Sequence, residues 1–162
     1  MSFARLALMS AAIALPTLAQ AQVVQVRALP TALAVELAQA TVAACSAKNF
    51  NVAATVVDRG GVVLATIRAD RAGPHTIEAA RAKAFTSVSA KNNTGAMAEA
   101  AANNAGARNL VYIPGFLLLG GGVPVKVGDE VIAAVGVGGA PGGHLDEECA
   151  NAGLQAIAAK LK

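Results

Sequence analysis

The chain has 162 residues, of which 55% are hydrophobic, 14% charged and 3% aromatic, and its formal net charge is +3. This much apolar sequence with so little charge excludes intrinsic disorder, and two cysteines are too few for a disulfide-dense mini-protein. Sparse charge without a basic cluster or base-stacking aromatics argues against a nucleic-acid partner, and the length suits one domain.

The N-terminus reads as an address. Arg5 supplies a cation, Leu6 to Ala14 is a mostly apolar run, and Pro16 breaks it. Ala19-Gln20-Ala21 is a small-x-small cleavage site, which completes the grammar of a secretory signal peptide over residues 1–21. The run is shorter than the roughly 20 apolar residues that a spanning helix needs. Cleavage after Ala21 leaves one domain over 22–162, expected to be periplasmic or secreted. No membrane insertion is expected of it, because the later apolar run from Val111 to Val125 is broken by Pro114, Gly115 and Gly120 to Gly122.

A first helix is predicted from Pro30 to Lys48, since proline suits a first helical turn and Leu33, Leu37, Thr41 and Cys45 recur at helical spacing. Asn51 to Asp58 reads as a strand, Arg59-Gly60-Gly61 as a turn, and Val62 to Arg68 as the returning strand of a hairpin. Pro74 opens a second helix with Ile77, Ala80, Ala84 and Val88 on one face, ended by Asn92 to Gly95. A short Ala-rich helix follows over about Ala96 to Asn104, then a loop, then a strand-like Phe116 to Leu119. Val123 to Val127, the Gly128-Asp129 turn and Glu130 to Val137 form a second hairpin. After the Gly138 to Gly143 loop, Leu145, Cys149, Gly153, Ile157 and Leu161 mark a terminal amphipathic helix. Tight hairpins make the pairing antiparallel, so the expectation is an α+β domain of about five strands flanked by helices. Many small residues leave one chain a thin core, which points to a homo-oligomer.

Few residues offer chemistry. Cys45 and Cys149 fall on apolar helix faces, either joined as a disulfide or buried as two thiols. His75, beside Pro74 at a helix start, is either a metal or haem-iron ligand or a plain polar residue there. His144, Asp146 and Glu147 could hold a cation, but acidic residues here also complement a helix dipole, with Asp146 a possible cap. Gly138 and Gly139 allow close approach of a ligand or, equally, close packing in the sheet. Arg81 and Lys83 read as a helical surface in which Glu78 pairs with Arg81, or as a source of a cation for a ligand carboxylate, a role open to Arg68 as well.

Several motifs coincide in order and spacing. They are Val57-Asp58-Arg59-Gly60-Gly61, Arg68-Ala69-Asp70, Ala79-x-x-Ala82-Lys83-Ala84, Gly121-Gly122-Val123-Pro124, Val135-Gly136-Val137-Gly138-Gly139 and Asp146-Glu147-x-Cys149-Ala150-x-Ala152-Gly153. Together they resemble the GlcG/HbpS family, whose haem-binding domain is shared with the C-terminal part of PduO proteins, and the resemblance runs from about Leu33 to Leu161. Two departures stand out: the loop Gly136-Val137-Gly138-Gly139-Ala140, where the family's usual Gly-Val-Ser-Gly-Gly carries a serine, and the segment Arg71-Ala72-Gly73-Pro74-His75-Thr76, where the family often has Gly and Ala and which resembles the exported members.

The resemblance implies a profilin-like or PAS-like sheet, homo-oligomers from dimer to octamer, and haem as ligand for sensing, storage or handling. Carried onto this chain, it implies His75 or the oxygen of Thr76 at the iron, Arg68 or Lys83 at a propionate, and Gly138 in the ligand-facing loop. A second expectation is a small enzyme or accessory subunit acting on an organic acid at an intersubunit pocket, with Asp58, Asp70, Glu78, Lys83 and the Gly136 to Gly139 loop as its site. A third is an oligomer whose ligand site has decayed.

Overall fold

The computed structural model describes residues 23–162, so the leader expected over 1–21 lies outside the described residues. Four helices and four strands alternate as α1 (Thr31–Ser46), β1 (Ala53–Asp58), β2 (Val63–Arg68), α2 (Thr76–Ala90), α3 (Thr94–Asn103), β3 (Gly122–Val127), β4 (Glu130–Gly138) and α4 (Gly143–Ile157). The strands form one antiparallel sheet in the order β2-β1-β4-β3. Each hairpin is local, and β1 joins β4 at the centre, with Ala53 opposite Gly138 and Val57 opposite Ala134.

The sheet has four strands rather than about five. Phe116 to Leu119 is the missing one, because its backbone bonds elsewhere. The Leu117 N–H donates to Thr86 Oγ1, the Leu119 carbonyl accepts from Thr94 Oγ1, and the Leu119 N–H turns back to the Leu117 carbonyl. A chain that spends its polar groups this way forms no regular ladder.

Side chains alternate across the sheet. Ala54, Val56, Val135 and Val137 pack on one face with Leu37, Ala38 and Cys45 of α1 and Cys149, Ala150 and Ile157 of α4. Val57 and Ala134 face the other way, onto Ala84 and Val88 of α2. Burying each such valine contributes about 1.5–3 kcal/mol.

Small residues set the layer spacing. A Cβ on Gly136 would lie 2.1 Å from the Ala80 carbonyl oxygen, so only glycine lets the backbone of α2 settle on the centre of the sheet. On the other side, α1 and α4 close on each other at Gly153, where a Cβ would meet Thr41 Oγ1 at 2.0 Å. The same pair of helices is tied by a disulfide between Cys45 and Cys149, with Cα atoms 5.3 Å apart. Of the two states open to these cysteines in sequence, the structure takes the joined one.

Candidate functional site

The site lies where β4 leaves the sheet. Residues 139–142 cross from the end of β4 to the start of α4, and they pass the start of α2. Gly139 has φ +127° and makes the bend. Any side chain there would strike the Asn51 carbonyl oxygen at 2.6 Å and the Thr76 methyl at 3.1 Å. This loop and the first turns of both helices enclose a cavity of about 240 Å³. Ala79, Leu119, Ala140 and Pro141 give it apolar walls, His75 stands at one side, and Lys83 and Asp146 reach it from below.

His75 is exposed and precedes the first residue of α2, so its imidazole is available to a ligand. Thr76, next to it, is only 1% exposed, and its hydroxyl donates to the Gly73 carbonyl at 2.7 Å. That hydroxyl closes the turn into α2. Gly138 is buried with its Cα side toward α2, where a Cβ would lie 3.1 Å from both the Ala79 methyl and the Thr76 carbonyl. Gly138 therefore packs the helix and also lines the cavity.

Lys83 corrects the reading of a helical surface. It is 1% exposed, and its ammonium donates to Asp146 Oδ2 at 2.7 Å and to the Val137 carbonyl at 2.9 Å. The reason lies in α2 itself: Lys83 shares the sheet-facing side with Ala80 and Ala84, so its stem runs under the helix toward the end of β4. Arg81, by contrast, does sit at the surface and pairs with Glu78 at 2.9 Å.

Asp146 is likewise no solvated cap, although it lies in the first turn of α4. Its second oxygen accepts the Ala140 N–H at 3.0 Å, so one carboxylate fastens α2 to the cavity loop. Burial raises the Asp146 carboxyl above its ordinary value, against the pull of the Lys83 hydrogen bond and charge and of the Ala140 N–H. A lysine fully engaged with this carboxylate has little net charge to offer a ligand. Sequence reading missed the partnership because 63 positions separate the two residues.

The remaining candidates lie apart. Asp58 Oδ1 accepts the N–H groups of Gly60 and Val62 and holds the β1–β2 turn together. Asp70 and Arg68 line a separate polar cleft with Arg71, so the organic-acid residues proposed from sequence do not converge. His144 and Glu147 line a larger cavity of about 620 Å³ beside α3, and Asp146 is turned away from them to Lys83. Among the described residues no group of three or more His, Cys, Asp or Glu could hold a metal ion. No helix of the described residues is long and apolar enough to cross a membrane.

Comparison with known proteins agrees with this architecture. Residues 29–155 match the family model described as haem degrading protein HbpS-like. The crystal structure of HbpS is 40% identical with a TM-score of 0.79, over 84% of this chain and 94% of that one. A double mutant of Streptomyces reticuli HbpS is 39% identical with a TM-score of 0.80, over 90% of this chain and 98% of that one. A PduOC–haem complex shares the fold at 23% identity and a TM-score of 0.73, over 81% of this chain and 96% of that one. No curated protein matches the chain.

Proposed function

The chain belongs to the HbpS-like family of haem-degrading proteins, and from that membership we propose that it binds haem at the His75 cavity for sensing, storage or handling. The observation that carries this is an accessible imidazole at the mouth of a cavity with apolar walls. Haem presents an iron that takes a histidine nitrogen, a flat apolar body and two carboxylates at one edge. His75 suits the iron, and Leu119, Ala140 and Pro141 suit the body, whereas Arg68 lies in a separate cleft. Lys83 and Asp146 serve beneath, holding the cavity loop to α2. Thr76, with its hydroxyl committed to Gly73, steadies the turn that presents His75.

At about 240 Å³ the cavity falls below the roughly 300–1,000 Å³ of ordinary ligand pockets. It fits one edge of a porphyrin. The rest of the macrocycle needs a second cover, which supports a homo-oligomer. Val111, Tyr112 and Ile113, together with Leu119 at the cavity, are exposed and apolar enough to meet a second copy. The signal-peptide grammar of residues 1–21 supports export, with the domain over 22–162 as the mature protein.

The test is a haemin titration followed by the Soret band, run beside His75→Ala. Saturable binding that weakens by about tenfold or more in the variant, or that shifts its band, is the expected result. Binding unchanged in the variant removes His75 and keeps haem. No saturable binding by the unmodified protein overturns the haem reading.

A further inference from the structure

We infer that residues 23–28 of one copy add as a further strand along the open edge of β2 in a second copy. This rests on the homo-oligomer reading above and gives it an interface separate from the His75 cavity.

The two edges of the sheet are finished differently. Beside β3, the Val137 N–H donates to the Gly121 carbonyl, so Val123 turns its backbone groups toward β4 while Gly122 and Pro124 turn theirs outward. The Gly122 N–H is taken by Thr94 Oγ1 and Pro124 has none, so the first half of this edge is closed to another strand. Beside β2, the Ala69 N–H donates to the Val52 carbonyl, which turns Ile67 toward β1 and Thr66 and Arg68 outward. The outward backbone groups of Thr66 and Arg68 have no partner among the described residues, and no proline or lysine interrupts Val63–Arg68. An edge of that kind is a template for another strand.

The chain carries a segment of matching chemistry. Residues 23–28 precede α1 outside any helix or strand, and they make no backbone hydrogen bond among the described residues. Val24, which is 81% exposed, and Val26 fall on one side of an extended chain, with Gln25 and Arg27 on the other. β-branched residues in that alternation suit a half-buried strand. Leu29, buried in the core, anchors the end of the segment. Six residues at about 3.3 Å each extend about 20 Å, which matches the six residues of β2. Within one chain the segment and the edge both stay unpaired, so a second copy supplies both partners at once. The segment of each copy lies on the β2 edge of the other, a two-fold exchange that closes on itself. Val62 and Val63, exposed where β2 begins, gain apolar cover in the same step.

The experiment measures mass by light scattering over a concentration series. It compares the unmodified protein, a variant lacking residues 23–28, and Thr66→Pro, whose lost N–H points away from β1. The unmodified protein is expected to be a dimer or a multiple of one, and each change to raise the dissociating concentration by about tenfold or more. Circular dichroism checks the fold of Thr66→Pro, and the shortened protein, which loses nothing of the core, decides the matter if that variant does not fold. A shortened protein that dissociates no more readily than the unmodified one overturns the exchange, and leaves Val111 to Ile113 as the interface. A deletion that lowers Tm without changing mass shows pairing within one chain and overturns it equally. Failure of the homo-oligomer reading looks different, because then the unmodified protein is itself a monomer at every concentration, and the exchange falls with it.

Discussion

Replacing Asp146 with alanine leaves the Lys83 ammonium under α2 with one carbonyl partner and no counter-charge. Stranding a buried charge in this way costs about 3–5 kcal/mol. For residues 23–162, at about 2.1 cal/mol/K per residue, the unfolding entropy is about 0.3 kcal/mol/K, so Tm should fall by about 10–17 °C. Lys83→Met combined with Asp146→Leu removes both charges and fills similar volume. It orphans the Ala140 N–H and the Val137 carbonyl, but it should still recover at least half of the single variant's loss. Urea unfolding of the unmodified protein, Lys83→Met, Asp146→Leu and their double variant closes a double-mutant cycle and gives the coupling directly. The reasoning fails if Asp146→Ala costs less than about 1 kcal/mol, or if the two single losses simply add in the double variant.

Burial holds the folded-state value of Asp146 above its unfolded 3.8, so the group favours the fold below that pH and this contribution is lost as pH rises through the folded value. Relative to the Lys83→Met, Asp146→Leu protein, the unmodified protein should therefore lose stability as pH rises above 3.8, read by urea midpoints at each pH, and a gain in that direction contradicts it. The Cys45–Cys149 bond closes a separation of 104 residues. On chain entropy alone its removal by paired Cys→Ala changes should cost about 4.7 kcal/mol, checked by unfolding with and without reductant. Gly136→Ala forces a methyl group into the backbone of α2, and a loss of about 1–3 kcal/mol or more is expected in thermal unfolding. The neighbouring Gly128→Ala meets no atom within 4 Å and pays only for its φ of +61°, so it should cost less.

The helices and both hairpins were legible because local signals agree. Pro30 and Pro74 stand at helix starts, and Gly60-Gly61 and Gly128-Asp129 punctuate alternating apolar runs. Phe116 to Leu119 misled because an apolar run says nothing about where its backbone bonds go, and here they go to Thr86 and Thr94. His75 was visible as one of two histidines beside a helix-opening proline. Lys83 was visible as a residue but not as a buried one. Its burial depends on how closely α2 rests on Gly136 and on a carboxylate 63 positions away, and neither has a local signature.

The pairing of β1 with β4 at the middle of the sheet has a consequence for how the protein is made. Residues 53–58 wait for residues 133–138, so a nascent chain holds only the β1–β2 hairpin and three helices until most of it has been synthesised. Pairings this far apart in sequence form slowly, because a long loop must close before any ladder bond rewards it. The two hairpins can form locally, but the sheet is joined only once β4 has been made. Trimming the C-terminus through β4 would remove one of the sheet's two central strands, leaving β1 and β3 with unpaired edges to seek partners in other chains.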